Sequence, residues 1–313
     1  MRVMPQFVLD RDAIARIRLR NRIETAATLA ALASLATVIG FLAAGVDGLV
    51  IGAIMVAIGL SFGALPADAV FRQGFGAAPL SPFQAPGLNA LIQELSRRAN
   101  LPTVPRLYLL PQPVLQAVAA GTTERPGIGV TRGLVETLTA EELAGVLAHE
   151  ISHVRHGDLT VMRIAATASG ITRAMAQAGL IVLILWGAGA FGAHPLLPAL
   201  LILAPLASDL LALSLSRTRE FLADAGAVEL TGDPLGLASA LRRLQALQGD
   251  DFERLGSRGP AWLRWFRTHP TIEERVAALA SASVPARPVL PAWDGTPWTT
   301  PPQVRRRPNP WRR

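Results

Sequence analysis

The sequence predicts a mainly α, membrane-embedded chain: about four transmembrane helices in two hairpins, carrying an α+β polar part with a small sheet. Composition is the first reason, because 50% of the 313 residues are hydrophobic and only 17% are charged, where a soluble domain carries about a quarter. The second is a set of four uncharged or nearly uncharged apolar runs that come in two close pairs. Short strand signals beside strongly periodic helices in the polar stretches supply the third.

Composition also closes off other classes. The chain has no cysteine, which excludes disulfides, thiolate catalysis, cysteine zinc sites and iron-sulfur clusters. Any transition metal must therefore sit on His and carboxylates. All thirty basic residues are Arg and the net charge is +7, a balance that suits phosphate surfaces, whether nucleic acid or anionic lipid. These arginines gather in the first 22 residues, beside the apolar runs, and at Arg305, Arg306, Arg307, Arg312 and Arg313, which is a membrane-flanking pattern. Phosphate loops and nucleic-acid motifs are absent, so the expected partners are a lipid bilayer and no nucleic acid.

Taken in order, residues 1–24 form a basic N-terminus. The first hairpin occupies 25–65: an uncharged run over 25–44 matches the roughly 30 Å hydrocarbon core, a turn follows at Gly45, Val46, Asp47 and Gly48, and a second run ends before Pro66. A cleaved signal peptide is the rival reading, but the apolar core is too long for one and a second span follows directly. The second hairpin, over 161–215, consists of runs at 174–193 and 196–214 separated by His194 and Pro195. Arg173 and Asp209 fall near its ends or inside it, and because a carboxylate inside a bilayer is costly unless paired or near water, Asp209 reads as a snorkelling helix-end residue or as a partner of Arg173 or Arg163. Arg2, Arg11, Arg16, Arg18, Arg20 and Arg22 precede the first run, whereas the turns at 45–48 and 192–195 carry no Arg. The N-terminus, the segment 66–160 and everything after 215 are therefore expected on the cytoplasmic side.

In the segment 66–160, Leu88, Leu91, Ile92 and Leu95 mark one helix face that ends at Arg97, Arg98 and Asn100. Strands are expected at Arg106 to Leu110, Leu115 to Ala120 and Ile128 to Thr131. Thr139 with Glu142 is a capping box opening a helix through Leu143, Val146, Leu147, Ile151 and Val154. Beyond the second hairpin, a helix over about 217–230, continuing from the fourth apolar run, stops at Gly232, and Asp233 with Pro234 starts another. Thr271 with Glu274 opens a last helix, running to about Ala282 and completing the part 216–282. Residues 283–313, rich in Pro and Arg without periodicity, read as a disordered tail.

The capped helix carries His149-Glu150-Ile151-Ser152-His153, an H-E-x-x-H motif. Residues four apart share a helix face, so both imidazoles can reach one metal while Glu150 points to the side where an activated water would sit. A third ligand is then required. A downstream His on the same motif is ruled out, since His156 and Leu159 stand where Gly and His would be needed. Carboxylates remain, and Glu220 and Asp224, four apart on the 217–230 helix, could supply one ligand and one group orienting a ligand.

Over residues 25–282 the chain resembles the HtpX-type membrane metalloproteases, relatives of the CAAX prenyl endopeptidases. The resemblance rests on Glu142 to His153, on Ser216 to Asp224, and on Thr268-His269-Pro270 followed by Glu273-Glu274-Arg275. It implies a zincin-like α+β catalytic domain, one Zn2+ on His149, His153 and Glu220, Glu150 as catalytic base, and Asp224 behind the ligands. It further implies an integral protein of a bacterial inner membrane, acting in protein quality control and stress response on unfolded or damaged membrane proteins. Peptide bonds are expected to be hydrolysed by a metal-activated water, with His269 donating to the oxyanion. A substrate strand would add along Gln116, Ala117 and Val118. Here Gln116-Ala117-Val118-Ala119 stands where the family has Asn-Ala-Phe-Ala, which leaves substrate preference open. Trp262, Leu263, Arg264, Trp265, Phe266 and Arg267 read as an interfacial segment. The alternative is a catalytically silent scaffold that binds membrane-protein segments; a small transporter would rest only on Arg163, Arg173 and Asp209.

Overall fold

The structure, a computed structural model, describes residues 11–61, 66–112, 114–122, 124–187, 196–257, 271–280 and 290. Helix α1 (Arg11–Ser61) holds the first two apolar runs and leaves helical geometry at Ala44 and Gly45. Gly45 has φ of +61°, a backbone state that glycine enters without steric cost, so the chain reverses where the turn was expected. Its arms lie against each other: a Cβ at Gly40 would strike the Gly48 carbonyl, and one at Gly52 would come within 3.1 Å of the Ala36 carbonyl. The stretch Ala33–Ile54 is long and apolar enough to cross a membrane by length and composition. Because the reversal falls in its middle, its 22 residues are two shorter arms rather than one rod.

A π-helical turn (Ala69–Gly74) and the two-residue strand β1 (Ala78–Pro79) come next; neither carries a sequence signal. Helix α2 (Pro86–Arg98) begins with Pro in its first turn, where the missing N–H costs nothing. Leu88, Leu91, Ile92 and Leu95 point inward as their spacing requires. The strands β2 (Arg106–Leu110), β3 (Ala117–Gly121) and β4 (Pro126–Thr131) complete a sheet ordered β1-β2-β4-β3. β2 and β4 are parallel, while β3 runs antiparallel to β4 with Ala117 opposite Val130 and Ala119 opposite Ile128. β3 is therefore an edge strand.

Helix α3 (Arg132–Thr137), capped by the Thr131 side chain, leads into α4 (Ala140–His156). The expected capping box is present: Thr139 N–H donates to Glu142 Oε2 at 2.9 Å and Glu142 N–H to Thr139 Oγ1 at 3.3 Å. Leu143, Leu147 and Ile151 of α4 pack with Leu88, Leu95, Ile128 and Val130 in the main core, each buried Leu or Ile contributing roughly 1.5–3 kcal/mol.

Gly157, in the left-handed region, ends α4, and α5 (Asp158–Gly187) starts at once. Its partner α6 (Leu196–Thr231) joins the fourth apolar run to the 217–230 helix in one rod. Helix α7 (Pro234–Ser257) is opened by Asp233, whose Oδ1 accepts from the N–H groups of Leu235 and Gly236. The box at Thr271 and Glu274 opens α8 (Ile272–Ala280). A separate apolar cluster joins Ile39 of α1 to Leu197, Leu201 and Ala204 of α6. Outside it Val38, Phe41, Leu180, Ile181, Ile184 and Leu203 are exposed, Ile184 at 70%.

Residues 1–10, His194, the segment 262–267, His269 and the tail apart from Leu290 lie outside the described residues, as do the side chains of Arg163 and Asp209.

Candidate metal centre

α4 presents His149 and His153 four residues apart on a buried face, 8% and 5% exposed. α6 must approach closely to meet them, and it does so at Gly226, where any Cβ would collide with the Ser152 side chain. Nearby, Arg155 of α4 pairs with Glu229 of α6 at 3.0 Å. This contact carries Glu220 and Asp224 up to the motif. Glu220 Oε2 lies 3.5 Å from His149 Nε2, and its Oε1 lies 3.8 Å from His153 Nε2. The two Nε2 atoms face each other at 3.1 Å.

Both Nδ1 atoms are taken by carboxylates: His149 Nδ1 by Asp224 Oδ1 at 2.9 Å, and His153 Nδ1 by Asp158 Oδ2 at 2.9 Å. An imidazole that donates through Nδ1–H is left with a lone pair on Nε2. With both imidazoles neutral, two such lone pairs and a carboxylate oxygen converge here, all three donor atoms within 4.8 Å of one another. This arrangement repels itself and attracts a cation, and two imidazoles with one carboxylate form the donor set of a catalytic zinc site. The residues present therefore fit a metal.

Around the three donors lies a ring of buried charge. Arg275 of α8 grips Asp224 with two hydrogen bonds, Nη2 to Oδ1 at 2.6 Å and Nε to Oδ2 at 2.8 Å, and its Nη1 stands 3.3 Å from Glu220 Oε2. Arg219 of α6 forms an ion pair with Asp158. Burial opposes a charge on His149, but the bonds to Asp224 and Glu220 outweigh it and raise its pKa to about 9. Asp224 is pulled the other way by burial, yet Arg275 and His149 hold its carboxyl below the usual range.

Glu150, next to His149 in α4, points toward β3. Its Oε2 accepts the Ala119 N–H at 2.8 Å, so it stands between the His pair and the free edge of β3. Burial, with a smaller push from Glu220, raises its pKa against the pull of both histidines and the Ala119 N–H. Along β3, Gln116 has both backbone groups committed to Thr131: its N–H donates to Thr131 Oγ1 at 3.0 Å and its carbonyl accepts the Thr131 N–H at 2.9 Å. Val118 packs toward Phe71 and Tyr108 on one face of the sheet, and Ala117 and Ala119 pack toward the main core on the other.

Of the residues singled out in the sequence, His149, His153 and Glu220 thus meet at one point, Asp224 backs His149, and Glu150 touches the strand that contains Ala117 and Val118. His269 lies outside the described residues. Three buried groups, Asp158, Arg219 and Arg275, had no assigned role in the sequence reading. Asp158 could have been noticed as a carboxylate directly after the helix-ending Gly157, five residues past His153; no local signal gives Arg219 or Arg275 its partner.

Comparison with known proteins gives a match between residues 82–283 and the model of peptidase family M48. The chain is also 39% identical over 278 residues to a protease HtpX homolog of Nostoc punctiforme, covering 83% of this chain and 95% of the relative. A protease HtpX homolog of Acaryochloris marina is 37% identical, over 83% of this chain and 94% of its own length. One from Methylibium petroleiphilum is 34% identical, over 85% and 99%.

Proposed function

This chain belongs to peptidase family M48 and is a metalloprotease, a hydrolase of peptide bonds; from that premise we propose a membrane-bound endopeptidase that carries one Zn2+ on His149, His153 and Glu220, uses Glu150 as base, and acts on unfolded or damaged membrane proteins. The observation that carries the reading is the position of Glu150, bonded to the edge strand at Ala119 and adjacent in α4 to a ligand histidine.

Zinc, when bound, supplies the Lewis acidity that polarises the scissile carbonyl and acidifies water. A substrate segment in extended form pairs with the outward backbone groups of β3 at Ala117 and with the Ala119 carbonyl, the Ala119 N–H being held by Glu150, which gives sequence-tolerant binding. Glu150 takes the proton of the attacking water on its carboxylate and delivers it to the leaving amine nitrogen. Its raised pKa suits both halves of that transfer. Asp224 and Asp158 fix which nitrogen of each imidazole faces the metal. His269 donates to the developing oxyanion, a role supported by the family resemblance of Thr268-His269-Pro270. Gln116, where the family has Asn, sits at the start of the substrate strand and tunes selectivity there.

Membrane embedding is supported by the outward apolar side chains of α1, α5 and α6 and by the uncharged runs on the same helices. The Arg asymmetry supports an N-terminus, catalytic site and C-terminus on the cytoplasmic side of a bacterial inner membrane. Two experiments test the proposal. Membrane fractions washed with alkaline carbonate should retain the protein, and its release would contradict embedding. Detergent-purified protein should cleave casein, lose activity to a chelator and recover it with zinc; recovery with magnesium or calcium but not zinc would contradict the metal assignment.

A further inference from the structure

We infer that the π-helical turn at Ala69–Gly74 braces the substrate strand: Phe71, seated on the face of the sheet away from α4, holds β3 in the form with which a substrate pairs. The inference rests on the reading of β3 as that strand and adds the positioning residue that keeps it in order.

β3 reads Ala-Val-Ala-Ala-Gly, and each of its five residues is only partly buried. Alanine and glycine are poor strand formers, and among the described residues β3 pairs along one edge alone, with β4. A strand of this composition has little order of its own. Its form must come from what packs on its two faces. On one face Ala117 and Ala119 meet the main core, and Glu150 accepts the Ala119 N–H. On the other, Val118 and Ala120 lie against the cluster of Ala67, Phe71, Ala77, Tyr108 and Leu110.

The turn assembles that second cluster. A π-helical turn is rare and occurs mostly at functional sites, and this one is closed at both ends: the Pro66 carbonyl accepts the N–H groups of Ala69 and Val70 at 2.9 and 3.2 Å, and the Phe71 carbonyl accepts the Ala77 N–H at 2.8 Å. Phe71 is 0% exposed, and its ring stacks on that of Tyr108 with centroids 4.7 Å apart. Asp68 ties the turn to β2, its Oδ1 accepting the Tyr108 hydroxyl at 2.6 Å and its Oδ2 the Arg106 Nη1 at 3.0 Å. Room for the ring is left by β4. A Cβ at Gly129 would lie 2.6 Å from Phe71 Cε1, and one at Gly127 would lie 3.1 Å from Phe71 Cε2. These two glycines stand opposite Val118 and Ala120 of β3. The ring therefore fills the space beside Val118 and Ala120 that side chains of β4 would otherwise occupy.

Removing the ring unloads one face of β3 and leaves the residues of the metal centre untouched. A strand that holds its pairing form only part of the time binds with an apparent affinity reduced by that fraction. The loss falls on substrate binding and not on the chemical step, so KM rises while kcat stays. General loss of packing lowers stability without producing that split.

The test uses the full chain in detergent and a quenched fluorescent peptide built around a bond first located in a casein digest. Phe71→Ala should raise KM about tenfold, as for a strand in order about one-tenth of the time, with kcat within about twofold and metal content equal to the parent. Leu91→Ala, a buried residue of α2, controls for lost packing: it should lower the melting temperature and leave KM alone. Gly129→Ala drives a methyl into the ring and should raise KM as well. Combined with Phe71→Ala, the same methyl enters space the ring has left, and KM should recover, the non-additivity expected of residues in contact. A parental KM in folded Phe71→Ala, an equal rise in Leu91→Ala, or no recovery in the double variant would each overturn the brace. Should Phe71→Ala fail to fold, Phe71→Leu and Gly129→Ala carry the test, and a parental KM in both would overturn it. Ala117→Pro separates the brace from the reading beneath it. The ladder bond nearby is made by Gln116 with Thr131, so the Ala117 N–H points away from β4 and proline there removes only a donor offered to the substrate. If Ala117→Pro keeps the parental KM, substrate does not pair with β3 and both readings fail. If it raises KM and Phe71→Ala does not, the brace alone fails.

Discussion

The two histidines of the proposed metal site and the groups that support them come from the chain in opposite ways. His149 and His153 are one helical turn apart and start from a capping box that fixes their helix independently. Their supports, Asp158, Asp224, Arg219 and Arg275, lie on α5, α6 and α8, up to 126 residues from His149 in the case of Arg275. The lesson of this contrast is that the histidine pair is a matter of local helical spacing, while the third donor and the orientation of both imidazoles depend on the whole helical packing. Damage to α8, far from the motif in sequence, should therefore reach the metal.

The comparison can be broken first at the ligands. Glu220→Ala removes the proposed third ligand and should weaken zinc retention by more than about 100-fold, beyond what changes to the supporting shell cause. Equilibrium dialysis against a zinc indicator checks it, and retention equal to the parent would show that another group is the third ligand. Next in size is Arg275→Met, which leaves Asp224 buried at 1% exposure without its bidentate partner. Breaking a buried pair from one side costs about 3–5 kcal/mol, so a strong fall in melting temperature is expected in chelator, with Arg275→Lys recovering only part because an ammonium cannot bind in two places. A melt no different from the parent would remove Arg275 from the account.

Asp158→Asn and Asp224→Asn should each lower zinc affinity by about 10–100-fold while leaving the three ligands in place. An equal loss in the two variants would sharpen the view that the supports work in the same way on their respective imidazoles. The last effect is with pH. His149, with its pKa raised to about 9, must give up a proton to bind metal, so zinc affinity should fall by up to about tenfold per unit as pH drops below that value. Without metal the sign reverses: protonated His149 contributes stability that is full below the unfolded value of 6.5 and is lost as pH rises through about 9. Melts in chelator and in zinc across that range should diverge, and parallel curves would contradict the raised value.

Much of this was legible in the sequence because the signals are local. The boxes at Thr139 and Thr271, the stop at Gly232 and the turn at Gly45 each act within a few residues, and β2 falls on Arg106–Leu110 as its flanking prolines require. Glu220 and Asp224 could be named as a pair because they share a helix face. By contrast, β1, the turn at Ala69–Gly74 and α3 are short elements formed through packing and pairing rather than any period of their own. Arg219 and Arg275 look like ordinary surface arginines until α5, α6 and α8 are brought together. The continuity of the fourth apolar run into the 217–230 helix was expected and α6 has it, whereas the start of α5 at Asp158, directly after Gly157, was not, because hydropathy reports surroundings and not helix ends.

The central claim, that a metal centre on His149, His153 and Glu220 works with Glu150 as its base, is tested most directly by measuring zinc content and casein cleavage side by side for the parent and Glu150→Gln, purified identically in detergent. The account predicts about one zinc per chain in both proteins and a loss of cleavage of about 10²–10⁴-fold in the variant. Cleavage by Glu150→Gln at the parent's rate, with zinc retained in both, would contradict it.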